Sequence, residues 1–340
     1  MFSEINMNTV PRVTVIIPVW NGAAWLPACL RALETQSFRD FAVIAVDNGS
    51  TDNSRGLIRA RCPQALLIAF ERNRGFAAAV NAGIRQSSSD YIALLNMDAQ
   101  PRPDWLLNLV RVMDASGPEI GSLASRMLSM TNPAVADDCG DSLSWQGAAG
   151  KLGHGQSSDL FNQAGEVFSA CAGAALYRRT LLEALGGFDE RFFAYLEDVD
   201  LGLRARLRGY RCLFVPAAEV LHQGHGGGMP HAFYVRLMTR NRLLLMFKNI
   251  PARLLFRHAL SLLYGQWYFF VMFRRPFAAL AGYCSFLMNL PYLLRERRRI
   301  LNNAVISLQQ LDKLLTPTMN EPPLRELART WWRRKSGKKA

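Results

Sequence analysis

The stretch TVIIPVWNG, Thr14 to Gly22, sets a run rich in β-branched residues directly against a polar, glycine-containing turn. Branched side chains fit a pleated strand, and Asn and Gly supply the reversal that ends it. The same design recurs along the first third of the chain: FAVIAV (41–46) and YIALL (91–95) each run into a polar loop, and ALLIAF spans 65–70. Segments of helical periodicity separate these runs, so the pattern predicts βαβ units and a parallel sheet covered on both faces. Such sheets bind ligands beyond the carboxyl ends of their strands, where the loops PVWNG (18–22), VDNGSTDNS (46–54) and LLNMDAQP (94–101) would converge. Taken singly, each loop also reads as ordinary turn and helix-cap chemistry.

The 340 residues have room for one large α/β domain with an appendage, or for two ordinary domains. Half are apolar and a fifth are charged, which excludes a disordered chain. Cysteines 29, 62, 139, 171, 212 and 284 show neither a Cys-x-x-Cys pair nor zinc-ligand spacing, which fits a reducing compartment. The opening MFSEINMNTVPRVTV has no basic run followed by an apolar one, so a cytoplasmic location is expected. The net charge of +13 is uneven: residues 236–340 hold 20 Lys and Arg against 4 Asp and Glu, leaving the first 235 slightly acidic.

Between about 125 and 168 the periodicity weakens into polar, glycine-containing sequence, expected as loops near an acceptor. FSACAGAALYRR (168–179) reads as a strand leading into a short helix. YLEDVDLGLRAR (195–206) then places Glu197, Asp198 and Asp200 within four residues. Leu203 with Leu207 and Arg204 with Arg208 are neighbours on a helix that Gly209 would stop. Carboxylates at a helix start are favoured by its dipole, so capping accounts for one of the three, with Asp200 expected as the cap. It leaves the other two unexplained.

TVIIPVWNG, VDNGSTDNS, NRGFAAAVNAG (73–83), LLNMDA and GGFDERFFAYLEDVDLGLRARLRGY resemble, in order and spacing, the motifs of family-2 inverting glycosyltransferases, most closely the rhamnosyltransferase-like branch. The likeness covers about residues 12–245. It implies a GT-A fold, an α/β class in which a Rossmann-like nucleotide-binding sheet joins an acceptor-binding half. It further implies that Pro18, Val19, Trp20, Asn21 and Asp47 line the nucleoside pocket, with Asp47 accepting a hydrogen bond from the base, and that Arg74, Gly75 and Asn81 lie near the nucleotide. Asn96-Met97-Asp98 stands at the family's DxD or NxD motif. Asp98 would then ligate a divalent metal, Mg²⁺ or Mn²⁺, bridging the donor's phosphates. His222, in the glycine-rich VLHQGHGGG (220–228), would complete the metal site, with His225 the second choice; both also read as solvated loop histidines. Asp198 is the implied base, supported by Glu197, and its neighbouring carboxylates are expected to raise its pKa.

The basic tail interleaves its charges with LLFRHALSLLYGQWYFFVMF (254–273) and PFAALAGYCSFLMNLPYLL (276–294). The second run, 19 residues without a charge, would make a helix about 28 Å long. Pro291 and arginines on both flanks weaken a spanning reading, so interfacial or re-entrant helices, true spans and an ordinary core pair all stay open. The chain is therefore expected as a GT-A domain over 1–235 and a helical region over 236–340 associated with the inner face of the cell membrane. Its expected activity is transfer of a sugar, best matched by L-rhamnose from dTDP-rhamnose, to a lipid-linked or polysaccharide acceptor of the cell envelope. Another donor (UDP-galactofuranose, UDP-glucose or UDP-N-acetylglucosamine) and a non-catalytic membrane-associated binding subunit are the alternatives. Nucleic-acid binding is disfavoured because the basic residues alternate with long apolar runs, and a dinucleotide oxidoreductase because no GxGxxG follows the first strand.

Overall fold

Residues 10–224 and 228–322 are described by the structure, a computed structural model of the chain. His225 and the terminal WWRRKSGKKA lie outside the described residues. The chain forms two compact units, the first from Met1–Ser142, Lys151–Gly228 and Asn302–Ile306, the second from Leu143–Gly150, Met229–Leu301 and Ser307–Ala340. One cut near residue 235 does not describe this division, because short segments cross over in both directions. Val305 N–H donates to Leu207 O at 2.8 Å within the first unit, and Trp145 N–H donates to Thr316 O at 3.0 Å within the second.

In the first unit, β1 (Val13–Val19), α1 (Leu26–Glu34), β2 (Phe41–Asp47), α2 (Ser54–Arg61), β3 (Leu66–Ala69), α3 (Phe76–Gln86) and β4 (Tyr91–Leu95) alternate as the sequence pattern predicts. β5 (Ala99–Pro101), α4 (Trp105–Ala115), β6 (Ile120–Ser129), β7 (Ala136–Asp138), β8 (Asp141–Leu143), β9 (Ala149–Lys151), β10 (Gly165–Val167), β11 (Ala174–Arg178), α5 (Arg179–Leu185), α6 (Glu197–Leu207) and β12 (Arg211–His222) follow, with Leu143, Ala149 and Gly150 belonging to the second unit. The main sheet runs β10-β12-β6-β11-β4-β1-β2-β3, with β5 on β12 and β7 on β6, while β8 and β9 pair separately.

All seven residues of β1 are buried. Val13, Val15, Ile17 and Val19 pack with Leu26, Trp105 and Leu109 on one face. Ile16 joins Ile44, Val46, Ala79 and Val80 on the other. That two-residue alternation between two cores is what a sheet covered on both faces requires.

The strands read as parallel, β1 to β4, are so, and the sheet as a whole is mixed. β1 is parallel to β2 and β4, but β11 is antiparallel to both β4 and β6. The region expected as loops after 125 also carries order. β6, ten residues long, pairs parallel with the twelve-residue β12, with a register irregularity between Val215 and Glu219.

The second unit is helical: α7 (His231–Asn249), α8 (Ala252–Arg257), α9 (Ala259–Phe273), α10 (Pro276–Met288), α11 (Leu290–Asn302, whose last residue belongs to the first unit) and α12 (Leu308–Leu314). Val235, Tyr268, Phe269, Phe273 and Ala279 form its core. Gly282 lets α10 approach α7 closely, since a Cβ there would stand 2.7 Å from Arg236 O. Phe256, Leu260, Trp267, Phe277 and Met288 are exposed. Among the described residues no single helix is long and apolar enough to cross a membrane; α10 and α11 together reach that length but are bent by 61°.

Candidate active site

Three loops meet at the carboxyl end of the parallel strands. The turn after β1 is tied to the loop after β2: Asn21 Oδ1 accepts from Thr51 N–H at 2.9 Å, Gly22 N–H donates to Ser54 Oγ at 2.8 Å, and Ala23 N–H donates to Asp52 Oδ2 at 2.9 Å. These bonds hold Asn21 at φ 51, in the left-handed region where Asn is one of the few tolerated side chains. The same turn rests on the third loop, with Trp20 N–H 3.5 Å from Met97 Sδ. Asp47, at the end of β2, is fully buried. Its Oδ2 accepts from Arg55 Nε at 2.5 Å, and its Oδ1 has no hydrogen-bond partner.

Strand register assembles the second part of the site. β12 pairs antiparallel with β5 so that His222 lies opposite Ala99, next to Asp98. His222 Nε2 consequently faces Asp98 Oδ1 at 3.5 Å, and Asn96 Nδ2 lies 3.5 Å from the same nitrogen. His222 Nδ1 is 2.8 Å from Asp137 Oδ2. Burial disfavours the charged imidazole, but the bonds to Asp137 and Asp98 outweigh it and bring His222 up to about 9. Burial would lift the Asp137 carboxyl too, yet His222 and Lys151 hold it well below the usual range. His222, which the sequence places in a glycine-rich stretch, is the last residue of a strand, and buried.

Asp198 stands at the start of α6 on a turn whose backbone is unusual. Phe193, Tyr195 and Leu196 all have positive φ, at 65, 70 and 68°. Ala172 N–H donates to Asp198 Oδ2 at 3.1 Å and Val199 N–H to Oδ1 at 2.8 Å. The next residue, Gly173, accepts from Asn96 N–H at 2.8 Å, so neighbouring residues tie the Asp198 carboxylate and the Asn96 loop to one segment. Burial raises the Asp198 carboxyl above its ordinary value against the lowering by these N–H groups and Lys151. The expected cause, like charge from Glu197 and Asp200, is not what drives it. Glu197 is buried with Oε2 unpartnered, and burial first, then Asp198, pushes its carboxyl well up. Asp200 does not cap α6: it is buried in an ion pair with Arg204 Nε at 2.8 Å, and Leu196 holds the N-cap position with no side-chain bond.

The remaining expected residues separate into two groups. Pro18 and Val19 are buried on β1, opposite Val46 and Asp47, beside the loops just described. Arg74 is half exposed, stacked 4.7 Å over Phe70 and 3.8 Å from Glu190. The Asn81 amide clamps Phe188, donating to its carbonyl at 2.8 Å and accepting from its N–H at 2.9 Å, and also reaches Glu190 at 3.1 Å. Gly75, at φ +92, packs on the Phe193 carbonyl and so supports the turn carrying Asp198.

The sequence reading missed Asp137, Asp138, Asp141 and Lys151. Burial raises Asp138 to about 7 and Asp141 well above its ordinary value, with Asp198 among the charges raising both. A signal was available, since DDCGD (137–141) crowds three acids into five residues much as YLEDVD does.

Comparison with known proteins identifies the class. The family described as Glycosyl transferase family 2 matches residues 14–186, and the chain belongs to that family of glycosyltransferases. It is 28% identical over 263 residues to N-acetylglucosaminyl-diphospho-decaprenol L-rhamnosyltransferase of Mycobacterium tuberculosis, covering 66% of this chain and 81% of that one. It is 32% identical over 215 residues to the pre-mycofactocin glycosyltransferase of the same organism, covering 62% and 42%. Among solved structures, a mannosyltransferase of Pyrobaculum calidifontis in complex with GDP-Man and Mn²⁺ superposes with TM-score 0.51 at 19% identity, over 89% of this chain and 86% of that one. GalNAc-T7 with UDP, GalNAc and Mn²⁺ superposes with TM-score 0.63 at 14% identity, over 90% and 56%. These likenesses identify the fold as GT-A-like.

Proposed function

We propose that the chain is an inverting transferase that moves L-rhamnose from dTDP-rhamnose to a lipid-linked acceptor in cell-envelope glycan synthesis. The observation that carries the chemistry is the segment Ala172-Gly173, which holds the Asp198 carboxylate with the N–H of one residue and the Asn96 loop with the carbonyl of the next. Likeness to a rhamnosyltransferase acting on a diphospho-decaprenol supports the choice of sugar and acceptor.

The donor's base is read by Asp47, whose unpartnered Oδ1 can accept the ring N–H that thymine and uracil share. Asp98 and His222 are the residues that would hold a divalent cation. Their facing atoms lie 3.5 Å apart, and carboxylate with imidazole is a fitting donor set. No group of three or more such ligands gathers among the described residues, which suits a cation, Mg²⁺ or Mn²⁺, that takes its other ligands from donor phosphates and water. Bound there, it supplies charge neutralisation for the departing nucleoside diphosphate. Asp198 Oδ takes the proton of the acceptor hydroxyl as that oxygen attacks the anomeric carbon from the side opposite the phosphate. One displacement inverts the anomeric configuration, and Glu197 supports the turn.

The second unit supports a place at the cytoplasmic face of a membrane, with its exposed Phe256, Leu260, Trp267 and Phe277 among arginines 253, 257, 274 and 275. The test is a panel of nucleotide sugars offered to the full chain with Mg²⁺ or Mn²⁺ and a polyprenyl-diphosphate acceptor, with product anomers read by NMR. Turnover of dTDP-rhamnose with inversion is expected. Preference for UDP-galactofuranose, UDP-glucose or UDP-N-acetylglucosamine would change the sugar and keep the mechanism; a retained configuration would reject the mechanism.

A further inference from the structure

His222 is held at both ring nitrogens, and the partner on the far side from Asp98 is the informative one. Asp137 Oδ2 lies 2.8 Å from Nδ1. A carboxylate there keeps a proton on Nδ1, so the ring nitrogen open to a cation is Nε2, on the Asp98 side. Asp137 is itself constrained: Lys151 Nζ lies 3.3 and 3.1 Å from its two oxygens, and His154 Nδ1 lies 3.2 Å from Oδ1 and 2.9 Å from its carbonyl oxygen. The backbone explains the meeting. β7 pairs antiparallel with β6, Met127 opposite Asp138 and Leu128 opposite Ala136, while β6 pairs parallel with β12, Ser129 opposite His222. Asp137 therefore reaches the end of β12 across two strand pairings.

We infer that Asp137 is a positioning residue that sets the ring orientation and tautomer of His222, so that Nε2 is presented beside Asp98 to the divalent cation. The inference rests on the reading of Asp98 and His222 as that cation's ligands. A carboxylate whose purpose was only to anchor Lys151 and His154 would not need the bond to Nδ1.

The test is calorimetric titration of Mn²⁺ into the full chain with dTDP present, for wild type, Asp137→Ala, His222→Ala and the double variant. Asp137→Ala is expected to weaken Mn²⁺ binding about 10–100-fold, the usual size of an outer-partner effect, and His222→Ala, which removes a ligand, at least as much. The double variant should be no weaker than His222→Ala, because Asp137 acts through the ring. Without metal, the Nδ1–H proton of His222 should resonate far downfield in wild type, as one bonded to a carboxylate does, and should move upfield in Asp137→Ala. Should Asp137→Ala fail to fold, Asp137→Asn, equal in volume, is titrated instead and should also weaken binding. Wild-type Mn²⁺ affinity in the Asp137 variant, or losses that multiply in the double variant, overturns the inference while the ligand assignment stands. Unchanged affinity in His222→Ala overturns both.

Discussion

The Asp198 carboxylate is held by two backbone N–H groups and still titrates above its ordinary range, because burial outweighs the stabilisation those donors give. That balance suits a base: ionised in use, oriented, and more proton-hungry than an exposed aspartate. Asp198→Asn keeps the shape and the bond from Ala172, so it should lower kcat about 10²–10⁴-fold with nucleotide affinity nearly unchanged, as steady-state rates and a dTDP titration would reveal. In the wild type, the acidic limb of the kcat profile should fall above pH 4, the ordinary aspartate region. Asp138 gives a stability prediction of definite sign. Its folded pKa, about 7, lies above the ordinary 3.8, so between those values the folded chain binds more protons than the unfolded chain and stability drops as pH rises. Asp138→Asn should melt like wild type at pH 4 and be more stable by about 1–3 kcal/mol at pH 8, the size of a relieved buried polar penalty.

Among the elements, the turn before α6 carries the most conformational cost. Three non-glycine residues with positive φ within four positions cost of order 1–3 kcal/mol each, and packing must hold them there. Gly75 is part of that packing: a Cβ on it would lie 2.4 Å from Phe193 O, and its own φ of +92 excludes most side chains. Gly75→Ala should lower stability by about 1–3 kcal/mol in chemical denaturation and reduce kcat more than nucleotide affinity, since α2, β2 and Asp47 are not part of the turn.

How much was legible follows from the same elements. β1, β2 and β4 were readable because strands buried on both faces are near-continuous apolar runs. β6 and β12 were not: Gly121, Ser122 and Ser125 interrupt one and Pro216 the other, so their strand character comes from their partners and not from their own pattern. Asp98 and Asp198 could be found as local motifs. The Asp137 to His222 contact, 85 residues apart, depends on the register of three strands and has no local signature.

At the scale of the molecule, charge and apolar surface coincide. The second unit exposes Phe256, Leu260 and Phe277 at 82, 83 and 86% in a stretch rich in arginine. A patch of that kind is expected to bind anionic bilayers by apolar insertion and by attraction that salt screens. Replacing those three residues by Ser should reduce flotation with phosphatidylglycerol vesicles several-fold and leave nucleotide binding intact; unchanged flotation would remove the membrane reading. Substitution is a sharper test than truncation after residue 245, which would also strip residues 302–306 from the first unit.

That short return segment has a further consequence during synthesis. Because Val305 bonds Leu207 and packs on Gly209, the transferase half lacks its last piece until the ribosome has made residue 306, after α7 to α10 have been made. The helices thus have the first opportunity to find their surroundings, and the catalytic half is sealed afterwards, by a thread that returns from them.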